Sequence, residues 1–316
     1  MKRCAIAVLL SLLAGAACNR IERPEEEKVP IAFSAAVSGD IATRASGMIG
    51  DDAGLQAGGF GVFGCYTGLH NYSESDANSS FMYNQRLEWV SGNGRWEYNP
   101  VKYWPGEEGH KVSFFAYAPY SECNGTGCIP SCVRYQETAD PWVMYRIAEN
   151  PAQQVDLLYA APLLDQTKMA VNERLECSFK HALACVGDKV TLSATGTYAA
   201  DITLKDVSID YTLTAKGRLV LWNRGSANWT PIQSEDVVTV RSVSLLTAGN
   251  EPLPKTFTGQ GLFCIPVEAA GYPQKATIHV TYTLNSVEHS ATSVLLLKGL
   301  LQEGKTLDLN INLNAD

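Results

Sequence analysis

The sequence predicts an all-β protein made of two antiparallel β-sandwich domains in tandem. Three observations predict it. Apolar residues recur with period two through most of the chain, the runs are short and bounded by Gly, Pro, Asn and Ser, and no long window sustains a helical period. A strand that alternates apolar and polar side chains buries one face, and two sheets of such strands bury those faces against each other. At 316 residues and 46% hydrophobic, the chain has apolar surface enough for two cores.

The first element is not part of either domain. Residues 1–17 begin with the basic "MKR" and continue as "CAIAVLLSLLAGA", an apolar run too short to span a bilayer and flanked like a signal peptide. It ends in "LLAGAAC", which resembles a bacterial lipobox; the resemblance implies cleavage before Cys18 and lipidation of that cysteine. Acyl chains on Cys18 would tie the protein to a membrane that it does not cross. Residues 18–28 hold Pro24 and the acidic run Glu25, Glu26, Glu27, and read as a solvated tether. The run is similar to the export signal of surface-displayed lipoproteins, and a plain spacer accounts for it nearly as well. Loss of residues 1–17 removes Lys2 and Arg3 and no acid, taking the net charge from −8 to −10. A chain so acidic, with no Lys/Arg run, does not suit nucleic acid.

The first sandwich is assigned to residues 29–165. Its opening strand, 29–38, points Ile31, Phe33, Ala35 and Val37 to one side. Residues 39–50, "GDIATRASGMIG", form a connector of small residues around one cation, Arg44. Later strands are read at residues 112–117, ended by Pro119, and in "PWVMYRIA" and "VDLLYAA". Residues 163–174, "LLDQTKMAVNER", are the one stretch with a short helical reading, and they mark the domain boundary. The second sandwich, 166–316, carries strands at "LECSFKHALACV" and "DKVTLSATG", a hairpin at "ITLKDVSIDYTLTAKGRLVLW", and strands at "DVVTVRSVSLL", "GLFCIPV", "ATIHVTYTL" and "ATSVLLL". A closing strand at 305–314 alternates Leu307, Leu309, Ile311 and Leu313 with polar residues.

Catalytic chemistry is not visible in these strands. No glycine-rich loop joins a strand to a helix, no serine sits in a nucleophile elbow, and the five histidines are not spaced as metal ligands. His181, inside a strand, reads as a structural histidine. The chain is expected to be no enzyme and to need no cofactor or metal. Seven cysteines remain beyond Cys18, so they cannot all pair within one chain. Cys123, Cys128 and Cys132 share a Gly/Pro-containing loop where a local disulfide is expected. Cys177 and Cys185, eight residues apart in one extended segment, share a face about 26 Å apart and act as small apolar side chains. The aromatic stretch 89–104, "WVSGNGRWEYNPVKYW", either fills a core or forms a sugar-stacking platform.

Several phrases together resemble one family. "YWPGEEGHKVSFFAYAPY", then "DLLYA", "FKHALACV" and "LQEGKTLDLNINLN" follow the order of landmarks in the bacterial fimbrillin family, which includes type V pilins and their anchor and tip relatives. The lipobox and "ATRAS" fit it as well. The resemblance implies two transthyretin-like Greek-key sandwiches and a lipoprotein precursor, displayed on the outer membrane and assembled into surface fimbriae. It implies cleavage by an arginine-specific protease between Arg44 and Ala45. It also implies loss of the first strand, whose place is filled by a donor strand from another subunit, with Leu307, Leu309, Ile311 and Leu313 as the donor's knobs. Partners are then other fimbrial subunits and a host or bacterial surface receptor. A shaft, tip or anchor role stays open, as does a glycan-binding surface lipoprotein.

Overall fold

The computed structural model describes residues 28–38, 48–75, 80–122, 140–170, 172–222, 225–231 and 238–315. Cys18, Arg44, Ala45, Cys123, Cys128 and Cys132 lie outside them. So do the signal segment and all of the tether but Lys28.

The regular structure of the described residues is almost entirely strand. The first ten strands are β1 (Phe33–Val37), β2 (Phe60–Gly68), β3 (Met82–Val90), β4 (Arg95–Glu97), β5 (Lys111–Ala118), β6 (Trp142–Arg146), β7 (Leu158–Ala160), β8 (Leu163–Gln166), β9 (Leu175–His181) and β10 (Ala184–Thr195). Then come β11 (Ile202–Thr214), β12 (Lys216–Val220), β13 (Asn228–Pro231), β14 (Val238–Leu246), β15 (Glu251–Pro252) and β16 (Lys255–Thr258). The last four are β17 (Leu262–Cys264), β18 (Lys275–Leu284), β19 (Val287–Leu296) and β20 (Thr306–Asn314). One two-turn helix, α1 (Asp52–Gly58), stands between β1 and β2, and the Asp51 side chain caps it by accepting from Gly54 N.

An eight-stranded sheet, ordered β1-β9-β7-β5-β2-β3-β4 with β8 beside β5, organises the first half. Both its faces are buried. On one, Phe60, Val62, Phe114 and Phe179 pack with Ile31, Phe33, Trp96 and Trp104. On the other, Phe63, Phe115, Tyr117 and Tyr159 pack against Val143, Tyr145, Leu219 and Trp229 of a three-stranded sheet, β13-β12-β6. The near-continuous apolar run of β5 follows from this double burial. The second half is a sandwich of β16-β10-β17, with β20 beside β10, over β14-β11-β18-β19, with β15 beside β11. Val186, Val190, Leu192, Leu309 and Leu313 from one layer meet Val207, Ile209, Tyr211, Ile278 and Val280 from the other.

Four expectations change. Residues 163–166 are strand β8, not helix: Phe114 pairs with Leu163 and Val112 with Gln166, and Asp165 at φ 56° kinks the strand as no helix would allow. The segment 202–222 is not a hairpin. β11 pairs with β14 and β18, whereas β12 leaves for β6 and β13, with only Ala215 between them. The division at 165/166 moves as well, because β9 is a strand of the first sheet and β12 closes over it; the chain crosses between halves at Ala182 and Leu183. Finally, most pairings are antiparallel, but β1 runs parallel to β9 and β20 parallel to β10.

Cys177 and Cys185 therefore fall in different cores, one on each side of that crossing. The four cysteines of the described residues, Cys65, Cys177, Cys185 and Cys264, are free and buried.

Candidate functional site

The first strand is the site to which the sequence pointed, and its burial follows its pattern. Val29, Ile31 and Phe33 are 6%, 1% and 1% exposed, and Ala35 and Val37 pack partly buried on the same cluster. Phe33 meets Phe114 edge-on at 5.5 Å between ring centroids and Tyr98 at 6.0 Å. The side chains are core; the backbone is an edge.

Residues 33–37 pair in register with Leu175 to Phe179. Upstream, Ile31 N donates to Lys102 O at 2.9 Å and Trp104 N to Val29 O at 3.0 Å. Downstream, Ser38 N donates to Phe179 O at 2.8 Å, and its hydroxyl donates to the same carbonyl at 2.9 Å. On the outer side those two upstream bonds form a short antiparallel bridge, Pro30↔Tyr103, and only spot contacts hold the rest of the strand. Tyr98 Oη donates to Ile31 O at 2.8 Å, and Val37 N donates to Asp52 Oδ1 at 3.0 Å. A cleft of about 460 Å³ opens there, lined in part by Ile31, Phe33, Trp96, Tyr98 and Tyr103. Sequence reasoning missed Tyr98 and Asp52. The Asp51-Asp52 pair ahead of Leu55 was the available signal, since aspartate before an apolar residue marks a helix start.

The closing strand lies elsewhere. β20 pairs with β10 from Cys185↔Thr306 to Thr195↔Asn314, with an irregularity between Val186 and Val190. Gly187 sits there at φ +76°, a left-handed conformation that suits glycine, and an added Cβ would strike Tyr211. Leu309 and Leu313 are buried in the second core; Leu307 and Ile311 pack partly buried on it. In this conformation the four knobs serve their own domain.

The remaining candidates are structural. Trp96 and Trp104 are 7% and 6% exposed and pack edge-on to Phe60 and Phe114, so neither offers a face to a sugar. His181 Nδ1 lies 2.6 Å from Asp156 Oδ2 at the crossing between halves. Burial pushes the Asp156 carboxyl up from its ordinary range, and the bond to His181 draws it partly back. Burial also pushes the thiols of Cys65, Cys177 and Cys185 up to about 12, which leaves them protonated and unreactive at neutral pH. Among the described residues, no group of three or more His, Cys, Asp or Glu is placed to hold a metal ion.

A 138-residue stretch, 41% of this chain, is 26% identical to the "Fimbrium subunit Fim1C" of Phocaeicola vulgatus and covers 36% of that protein. The crystal structure of a fimbrial protein from Bacteroides vulgatus superposes with a TM-score of 0.60 at 18% identity, over 90% of this chain and 95% of that one, a likeness of fold. The model of the "Fimbrillin-like" family matches residues 43–316, and the chain belongs to that family.

Proposed function

We propose that this protein is a cell-surface fimbrial subunit, structural and adhesive rather than catalytic, that assembles after losing its first strand. The observation that carries the reading is β1 itself: a strand whose side chains are core, whose backbone is a sheet edge, and which ends one residue before the connector that contains Arg44. Hydrolysis between Arg44 and Ala45 would free residues up to 44. Because β9 keeps β7 on its other side, the sheet survives the loss. What opens is a groove with unpaired backbone on β9 and a floor of Phe60, Trp104, Phe114 and Phe179. Such an edge recruits an extended segment of another subunit, with backbone pairing for affinity and alternate side chains for register.

In this reading the precursor is an outer-membrane lipoprotein held by Cys18, an arginine-specific protease releases it, and the assembled subunit meets a receptor on a host or bacterial surface. N-terminal sequencing of the protein taken from the cell surface tests it. A start at Ala45 is expected; a population starting only at Cys18 would refute the cut.

A further inference from the structure

We infer that this chain accepts a strand in the assembled fimbrium but keeps its own closing strand, β20, so that its donor is a subunit of different sequence and its own place is at an end of the fibre. The inference rests on the reading that β1 is lost and replaced.

It starts from the backbone phase of the crossing strand. Along an extended strand, successive residues turn their N–H and C=O groups to opposite sides. Leu175 N donates to Ala32 O, and Phe179 O accepts from Ser38 N. Four residues on, Leu183 O accepts from Gly304 N, and Cys185 N donates to Lys305 O. All four are odd-numbered, whereas Ala182 N turns the other way, to Leu157 O. β1 and β20 therefore each run parallel along an edge of two consecutive strands, β9 and β10, which Ala182 and Leu183 join into one run of edge. That edge has two slots, and the uncut chain fills both.

The cut empties the first slot. Were β20 to leave for a neighbour, the second would empty too, and each subunit would hold one strand for two slots. The vacancy would fall on a core. Without β20, the sandwich loses Leu309, Leu313 and Ala315, which are 2%, 9% and 5% exposed, and bares Val186, Val190 and Leu192. Every other strand of the described residues is engaged in its own sheet, so none is spare to cover them. β20 is also tied beyond its ladder: Ala315 N donates to Thr195 O, Tyr198 N to Ala315 O, and Asn312 Nδ2 to Thr195 Oγ1 at 2.8 Å. An alternating pattern like that of Leu307 to Leu313 serves a resident edge strand as well as a donated one.

The slot also specifies its occupant. The bond from Gly304 N to Leu183 O closes the slot beyond Phe179. The donor segment thus spans the places of residues 29–38 and runs parallel to β9. It carries apolar side chains where Val29, Ile31, Phe33, Ala35 and Val37 stood, the largest of them in the Phe33 position.

The test uses the whole secreted chain from residue 18, with Cys18→Ser, folded and then cut by an arginine-specific protease. Cutting in excess synthetic peptide 29–38 keeps the groove filled, so the measurement does not depend on the solubility of a bare groove. Light scattering and electron microscopy follow polymers after the peptide is removed, and hydrogen exchange follows residues 306–314. The expected result is release of the native fragment, exchange with the peptide, no fibres from the cut chain alone, and protection of 306–314 unchanged by the cut. Fibres formed by the cut chain alone, with protection of 306–314 lost during growth, would overturn the inference and leave strand replacement standing. A cut chain that keeps its fragment and takes up no peptide would overturn strand replacement itself.

Discussion

Phe33 should dominate the hold of the groove on its strand. It is 1% exposed and packs against two aromatic rings, Phe114 and Tyr98. Truncating a buried phenylalanine to alanine costs about 3–5 kcal/mol, because the cavity adds to the lost transfer energy. At about 1.4 kcal/mol per factor of ten, even the lower figure weakens binding roughly 150-fold. The uncut chain is the wrong place to look, since β1 can detach locally and the measured loss then stops at the cost of detachment. The assay is binding of labelled peptide 29–38 to the cut chain, read by anisotropy. Ser34→Ala is the control: its hydroxyl reaches only Leu175 O, at 3.5 Å, and the change should stay within about 0.5 kcal/mol, roughly twofold. If Phe33→Ala peptide binds within about threefold of the unchanged peptide, the groove is not held by its apolar floor and the reasoning fails.

Three further outcomes follow from the same geometry. Leu309→Ala should lower global stability by about 2–5 kcal/mol in urea unfolding, because Leu309 is buried in the second core; a loss under about 0.5 kcal/mol would mean that β20 is a loosely held flap. Trp104→Ala should cost about 3–5 kcal/mol in the same measurement, and an unchanged midpoint would restore the sugar-platform reading of the aromatic stretch. In the folded protein at pH 8, Cys65, Cys177 and Cys185 should resist iodoacetamide and react only in denaturant. The thiolate is the nucleophile, and burial holds these thiols near 12, far above that pH; rapid labelling of the native protein would contradict their placement.

What the sequence made legible was what is written locally. The period-two run of β20 and the alternation through Ile31 and Phe33 each mark a strand and its inner face, the near-continuous apolar run of β5 marks a strand buried on both faces, and the structure places them so. Pairing was not legible. Nothing near residues 202–222 says that β12 will leave β11 for β6, some seventy residues earlier; that choice is made by Tyr145, Leu219 and Trp229 meeting in one core. The same limit hid the parallel partners of β1 and β20, which lie about 140 and 120 residues away. At 163–174 a polar stretch with scattered apolar residues suited a helix, and only the long-range pairing with β5 makes part of it a strand. The cleft beside β1 was half legible. Its buried residues announced themselves by period, but Tyr98 and Asp52, which touch the strand's outer edge, act through single hydrogen bonds that leave no pattern.

Asp52 gives a last prediction, because it bears on how a cut strand stays or leaves. It occupies the first turn of α1, beyond the connector, and accepts from Val37 N at the far end of β1, so it ties together the two sides of the proposed cut. After cleavage that bond is one of the few that act on the outer edge of the strand. The site is exposed, so the bond is worth about 1 kcal/mol rather than the larger figure of a buried charged contact. Asp52→Ala should therefore leave the uncut protein nearly as stable and speed loss of the cut fragment about fivefold, the equivalent of 1 kcal/mol. Asp52→Asn retains an acceptor and should recover most of the difference. A fragment release rate that ignores both substitutions would show that the retained strand is held by its buried side chains, the β9 ladder and the bridge to residues 102–104. Displacement by a donor would then have to begin at the Val29 end rather than at Val37.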